Sequence, residues 1–274
     1  MKKALHGISV WYSNVVTQVR IAKECGFDAL EILPEHLFRY IDNGGTLEMF
    51  NQLLSENSIE VSCINALRHI GRYQAAERQA MLQEARKICQ VARSLHCPVV
   101  QLLALEEINS LDEEKRNKIL VDNITEIADI GKHYNVKFQI EVVAFTPFNS
   151  LSQALDIIQR VGRDNVGVVI DFWHLHAGGK TTPTEVARMD AKLIYGVHFC
   201  DGRAARPGEK CDEHVLRDYR PGEGEVDIPA WVKAVRATGY NGVWCPEQLS
   251  PTHWEDDLWQ IGLDNYQSLT AYTS

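Results

Sequence analysis

Four residues that are able to bind a metal ion each follow an apolar run of strand length: Glu141, Asp171, His198 and Glu247. The runs before them read KFQI, VGVVI, LIYGV and GVWCP. Such continuous runs are typical of strands in a parallel sheet that is covered on both faces. Because the carboxyl ends of parallel strands meet at the edge where ligands bind, we expect these side chains to face one another. Any one of them alone could instead cap a neighbouring loop.

Three carboxylates at one edge of a sheet repel one another unless a cation neutralises them. Oxygen ligands with one imidazole suit Mn²⁺, Mg²⁺ or Zn²⁺. The sequence therefore predicts one divalent metal, held by Glu141, Asp171, His198 and Glu247. A metal there can polarise a substrate carbonyl and its neighbouring hydroxyl, so that a carboxylate can remove the proton from the adjoining carbon. Isomerisation, epimerisation and dehydration all begin with this step.

The elements that must position these residues alternate along the whole chain. Strand-length runs and helical segments follow one another at intervals of roughly thirty residues, which is the rhythm of a TIM barrel. The length of 274 residues suits a barrel of about 250 residues, and no break in composition divides the chain. We therefore predict an α/β fold, a single (β/α)₈ barrel, with one domain over residues 1–274.

The predicted boundaries follow from apolar runs, capping residues and turns. The first strands are predicted at Leu5–Val10 and Ala29–Leu33, and a third is predicted to end near Asn65. Helices are predicted at Thr17–Cys25, Thr46–Asn57, Gln74–Leu95, Asp112–Tyr134, Ser150–Val161, Thr184–Ala191, Pro229–Thr238 and from Asp257 onward.

A long loop from Asp201 to Asp227 interrupts this alternation and leaves directly from the seventh strand. Long irregular loops in compact domains are usually functional. We expect part of this loop to overhang the site, with Arg203 and Arg206 as the residues that reach a substrate oxygen. Asp212 and His214 are either further metal ligands or parts of a solvated lid.

Composition and charge disfavour several classes of partner. The formal net charge of −9 argues against nucleic acid. The N-terminal segment has only a short apolar run, so we expect neither a signal peptide nor a membrane span. Seven scattered cysteines without a CxxC pair indicate reduced residues of a cytoplasmic protein. The expected partner is a small molecule, and a homo-oligomer is left open.

The motifs of the second half follow one another in the order Glu141, Asp171 with His174, His198 with Asp201, PGEG at 221–224, and PE at 246–247. This order resembles the xylose isomerase-like TIM barrels, a superfamily of sugar isomerases and epimerases, inosose isomerases and dehydratases, hydroxypyruvate isomerases and endonuclease IV. The segment from DFWHLHAGG through PGEGEVDI is most similar to the 2-keto-myo-inositol isomerase (inosose isomerase) branch. The resemblance implies that the four strand-end residues bind one divalent metal, that Glu141 and Glu247 shuttle the proton as a catalytic pair, and that His174 binds substrate.

At two positions this sequence differs from particular members of the superfamily, and these differences narrow the choice of function. Ketohexose 3-epimerases carry a further glutamate six residues after the first metal-binding glutamate, and this chain has Pro147 there. At the end of the fourth strand, endonuclease IV has a histidine where this chain has Gln101. A ketohexose epimerase and a DNA-repair nuclease are therefore disfavoured.

Further substrate contacts are predicted outside the metal cluster. His69 and Glu31 are candidates for hydrogen bonds to substrate oxygens, and Trp173 is a candidate for an apolar wall together with Trp11 and Phe145. Core packing is the alternative for each aromatic residue, and a buried ion pair is the alternative for Glu31.

The predicted function is that of a divalent-metal-dependent isomerase or epimerase that acts on a small keto-polyol or keto-sugar of the inosose type. A metal-dependent dehydratase of the inosose or 3-dehydroshikimate type is the alternative, with His69, Arg203 or His214 as the acid that expels the hydroxyl. A non-catalytic sugar-binding barrel and an endonuclease IV-like nuclease are further alternatives.

Overall fold

Eight parallel strands form a closed barrel in the computed structural model, which describes residues 1–274. The strands are β1 Lys2–His6, β2 Ala29–Ile32, β3 Glu60–Arg68, β4 Val99–Leu103, β5 Lys137–Glu141, β6 Val166–Asp171, β7 Ile194–Phe199 and β8 Val243–Pro246. Each strand pairs with the next in sequence, and β8 closes the barrel on β1. The predicted (β/α)₈ barrel is confirmed.

Helices surround the barrel and connect its strands. They are α1 Val15–Cys25, α2 Pro34–Asp42, α3 Leu47–Asn57, α4 Ala75–Ser94, α5 Glu113–Lys132, α6 Leu151–Val161, α7 Phe172–Gly178, α8 Pro183–Val186, α9 Glu213–Leu216, α10 Ile228–Ala237, α11 Pro251–Trp254 and α12 Leu258–Thr273. A core cluster of 67 buried residues joins them to the strands. None of the helices combines the length and apolar character needed to cross a membrane.

Local sequence explains where several helices begin and end. The Asn14 side chain accepts a hydrogen bond from the first turn of α1, and Gly26 ends that helix with φ of 92°, a conformation that glycine adopts without steric cost. Ser150 and Gln153 form a reciprocal capping box at the start of α6. These signals explain why the corresponding predicted helices agree with the observed ones apart from their end residues.

Several elements differ from their prediction for identifiable reasons. The first strand ends at His6, not Val10, because the chain turns there and the Ile8 N–H donates to Nδ1 of His6. The predicted helix Thr184–Ala191 is only the short α8, and α7 begins directly after β6, since the Asp171 carboxylate caps it at the His174 N–H. Helix α2, which was not predicted, starts with a proline in its first turn.

Candidate metal centre

The carboxyl ends of β5 to β8 bring the four predicted ligands together. Nδ1 of His198 lies 3.0 Å from Oε1 of Glu141, 3.4 Å from Oε2 of Glu247 and 3.6 Å from Oδ2 of Asp171. All four side chains are buried. One imidazole nitrogen therefore faces three carboxylates from the carboxyl ends of β5, β6 and β8, which is the arrangement that the strand-end pattern predicts.

The opposite edge of His198 is bound by Glu31. Nε2 of His198 lies 3.0 Å from Oε1 of Glu31, and Nδ2 of Asn65 donates to the same oxygen at 3.0 Å. A carboxylate behind a metal-ligating imidazole fixes the orientation of the ring and raises its basicity. Glu31 was predicted to contact substrate, but it lies behind His198 and is not part of the cavity wall.

His6 is a buried member of this cluster that sequence reasoning missed. Its Nδ1 accepts the Ile8 N–H at 3.0 Å, and its Nε2 lies 2.9 Å from Nδ2 of Asn65. Nε2 lies 3.3 Å from Oε1 of Glu247 and 3.6 Å from Oε1 of Glu31. His6 thus holds the Glu247 oxygen that does not face His198. His6 is the last residue of β1, but the strand was predicted to continue to Val10, so its position at a strand end was not recognised.

The His6→Leu substitution is expected to lower the free energy of unfolding by about 1–3 kcal/mol, because it leaves the partly buried Ile8 N–H and an oxygen of the buried Glu247 side chain without a partner. Urea denaturation of the metal-free protein measures this loss. His133→Leu, at an exposed histidine, is the matched control. Equal stability of the two variants would contradict the role given to His6.

Arg217 is a second residue that sequence reasoning missed. Its Nη2 lies 2.7 Å from Oε2 of Glu247 and 3.5 Å from Oδ2 of Asp171, and its guanidinium lies 5.0 Å above the ring of Trp173. The Arg217 side chain is only 2% exposed. It follows the short helix α9, so the loop from Asp201 to Asp227 does overhang the site, and it delivers a permanent positive charge there.

The two arginines of this loop that we predicted to contact substrate, Arg203 and Arg206, are engaged elsewhere. Arg203 forms two hydrogen bonds with the Glu209 carboxylate, at 2.7 and 2.6 Å. Trp173 is fully buried, and its Nε1–H donates to the carbonyl of Arg203. Neither Arg203 nor Trp173 lines the cavity. Arg206 pairs with Glu225 instead.

Asp201 and the PGEG motif form the anchor of the loop. The Asp201 carboxylate accepts four backbone N–H groups, those of Gly202, Gly222, Gly224 and Val226. A Cβ at Gly224 would collide with Asp201, so only glycine allows this approach. Asp201 is therefore a structural residue that brings the end of the loop back to the carboxyl end of β7.

Asp212 and His214 lie outside the metal cluster. The Asp212 side chain accepts the His214 N–H at the start of α9, and the His214 ring packs 5.7 Å from the ring of Trp254. The groups of possible metal ligands do not include either residue.

The two glutamates of the cluster have opposite pKa shifts. Burial and the charge of Glu247 raise the pKa of Glu141. Burial also opposes ionisation of Glu247, but the charges of His198 and Arg217 outweigh it and hold the pKa of Glu247 well below its usual value. Neighbouring carboxyls whose pKa values are displaced in opposite directions are suited to divide acid and base roles.

A cavity of about 360 Å³ opens above the cluster. His69, His174 and Phe145 line it together with Glu141 and Glu247, so two of the predicted substrate-binding residues and one predicted wall do face it. Trp11, a further predicted wall, stacks on Trp254 and does not line the cavity. Nδ1 of His174 accepts the Ala144 N–H at 3.2 Å, so a neutral ring presents Nε2–H.

Comparison with known proteins agrees with this geometry. The sequence model of the xylose isomerase-like TIM barrel family matches residues 19–269. The chain belongs to this family. Within the family, it is 26% identical over 250 residues to the inosose isomerase of Halalkalibacterium halodurans, which covers 89% of this chain and 86% of that protein.

Two further proteins show the range of this similarity. The L-ribulose-5-phosphate 3-epimerase of Salmonella heidelberg is 24% identical over 259 residues, covering 92% of this chain and 86% of that protein. The crystal structure of the IolI protein with a zinc atom superposes with a TM-score of 0.93 at 24% identity, covering 100% of this chain and 98% of that one. The latter likeness establishes the shared fold.

Proposed function

We propose that this protein is a divalent-metal-dependent isomerase or epimerase that acts on a small keto-polyol of the inosose type. The observation that carries the proposal is the convergence of three buried carboxylates on Nδ1 of His198 at the floor of a cavity. Similarity to inosose isomerases and to a zinc-containing structure supports the same reading.

The residues of the cluster fit a divalent metal. Glu141, Asp171 and Glu247 supply three oxygen ligands and His198 supplies one nitrogen, a set that suits Mn²⁺, Mg²⁺ or Zn²⁺. Within the protein, the charges of these carboxylates are offset only by Arg217 and by a protonated imidazole, so a further cation is favourable here. When bound, the metal supplies polarisation of a substrate carbonyl and the adjacent hydroxyl.

The side chains of this protein account for the proton transfer. Glu141 and Glu247 both line the cavity, so one glutamate removes the hydrogen from the carbon beside the carbonyl and the other returns a proton. His6 and Arg217 hold the two oxygens of Glu247 and keep it oriented toward the cavity. His174 donates Nε2–H to a substrate oxygen.

Turnover of keto-polyols in D₂O tests this proposal. The metal-loaded protein is incubated with inososes, neutral ketoses and 3-dehydroshikimate, and products are analysed by mass spectrometry and NMR. We expect isomerisation of an inosose, with solvent deuterium on the carbon next to the product carbonyl. A product lighter by one water would establish the dehydratase instead, and no turnover of any compound would refute an enzyme of this class.

Metal binding is expected to release on the order of one proton near neutral pH. Burial by itself lowers the pKa of His198, but the charges of Glu247 and Glu31 and its hydrogen bonds to Asp171 and Glu141 raise the pKa well above its usual value. The imidazole is therefore protonated in the metal-free protein, and a metal on Nδ1 must displace that proton. Affinity should rise with pH until the pKa of His198 is reached.

Calorimetric titration of metal into the metal-free protein, in two buffers with different ionisation enthalpies, counts the released protons. The control is His198→Asn, which has no proton to lose at this position. Binding without proton release by the natural protein would contradict the assignment of His198 as a ligand.

A further inference from the structure

The cavity contains a histidine–carboxylate pair that the proton transfer described above does not use. His69 follows β3, and Glu107 lies in a short 3₁₀ helix, Glu106–Ile108, after β4. Nδ1 of His69 lies 3.0 Å from Oε2 of Glu107. His69 lines the same cavity as Glu141 and Glu247, so a small substrate that fills this cavity contacts both groups.

The Glu107 carboxylate is held in place by the backbone. Its Oε1 accepts the Gly71 N–H at 2.9 Å, and both of its oxygens lie near the Leu105 N–H, at 3.1 and 3.2 Å. A Cβ at Gly71 would lie 2.9 Å from Oε1, so glycine permits this close approach. Glu107 is thus a rigid acceptor, and a rigid acceptor at Nδ1 determines the orientation and the tautomer of His69.

His69 adopts a backbone conformation that non-glycine residues seldom adopt, with φ of 58°. Residues held in such conformations are concentrated at functional sites. The side chain is 29% exposed, and Nε2 makes no hydrogen bond within the protein. Nε2 of His69 is therefore available to hydrogen-bond solvent or a ligand.

His69 differs in this respect from the other two histidines of the cavity. Nε2 of His6 lies 3.3 Å from Glu247, and Nε2 of His174 lies 3.6 Å from Glu213. Of the three acids that the sequence suggested for a substrate oxygen, Arg203 and His214 do not line the cavity. Only His69 combines a place in the cavity wall with an unpaired ring nitrogen.

We propose that His69, oriented by Glu107, is a second acid–base residue of this active site and exchanges a proton with substrate oxygens. This inference rests on the proposed function. Interconversion of a hydroxyl and a carbonyl on neighbouring carbons moves one proton from carbon to carbon and a second proton from oxygen to oxygen. Glu141 and Glu247 account for the first transfer, and His69 accounts for the second.

The oxygen transfer balances without another reactant. Nε2 of His69 takes the proton from the hydroxyl that becomes a carbonyl, and that O–H electron pair forms the new C=O bond. The imidazolium, paired with the Glu107 carboxylate, then gives the proton to the oxygen that becomes a hydroxyl. Epimerisation at the carbon beside the carbonyl does not require this second transfer, so the pair matches an isomerase.

The His69→Gly variant tests the inference, because glycine adopts a φ of 58° readily and leaves space for an added imidazole. We expect product formation by the metal-loaded variant to fall by about 10²-fold or more. Exchange of the carbon-bound hydrogen of recovered substrate with D₂O should stay close to the natural rate, because the glutamates remain. Added imidazole should restore product formation.

The matched control for Glu107→Gln is Glu84→Gln. Glu84 is exposed on α4 and does not line the cavity, so this variant should retain full product formation. Glu107→Gln should instead lower the rate of product formation and leave the metal content unchanged. Measurement of exchange and metal content in the same samples shows that each variant is folded and loaded.

Three results would overturn the inference: an equal fall of exchange and product formation in His69→Gly, the absence of rescue by imidazole, or unchanged product formation. Failure of the proposed function would appear differently, since the natural protein itself would then isomerise no keto-polyol.

Discussion

Glu247→Gln is expected to lower turnover of a keto-polyol by about 10³-fold while the barrel stays folded. Oε2 of Glu247 lies 3.4 Å from Nδ1 of His198, and Glu247 also lines the cavity. The amide therefore removes a metal ligand charge and a proton acceptor in one change, with little change in volume. Steady-state kinetics, with circular dichroism and metal analysis of the same sample, measures the effect.

The control for this variant is Glu114→Gln, which alters a glutamate outside the cluster. Glu114 is exposed in the first turn of α5 and does not line the cavity, so this substitution should leave turnover unchanged. Near-natural activity of Glu247→Gln would mean that the reaction takes place at another site.

Arg217→Leu is expected to lower the free energy of unfolding of the metal-free protein by about 3–5 kcal/mol. The substitution leaves the carboxylates of Glu247 and Asp171 buried without their guanidinium partner. A divalent metal would replace part of the lost positive charge, so added metal should stabilise this variant more than the natural protein. Urea denaturation with and without metal measures both effects.

Arg203→Leu provides the comparison. Arg203 is paired with Glu209 and does not contact the metal cluster, so its loss should cost less and should not depend on metal. Equal losses in the two variants would show that Arg217 contributes through packing of the loop and not through its charge.

The sequence predicted the cluster of three carboxylates and one imidazole because its signal is local. Glu141, Asp171, His198 and Glu247 each end an apolar run, and a parallel barrel places all such ends at one edge. The prediction was less accurate where the end of a strand was ambiguous. The apolar residues after His6 suggested a longer first strand, which concealed that His6 is itself at a strand end.

Side chains on loops could not be placed in this way. Arg203 and Arg217 lie in the same long loop, and both were available as partners for the site. The structure pairs Arg203 with Glu209 and buries Arg217 against Glu247 and Asp171. The choice depends on how α9 and the Asp201 anchor fold the loop over the barrel, which is a matter of contacts between distant residues.

The sequence by itself thus determined the barrel, the family and the four residues that converge at its floor. Apolar runs and the polar residues that end them are local features of the sequence, so their prediction needs no knowledge of contacts between distant residues. Only the tertiary structure decided that Glu31 lies behind His198, that Arg217 pairs with Glu247 and that Glu107 lies at Nδ1 of His69. Each of these contacts joins residues far apart in sequence, and their geometry follows from packing of neighbouring strands and loops that no local pattern encodes.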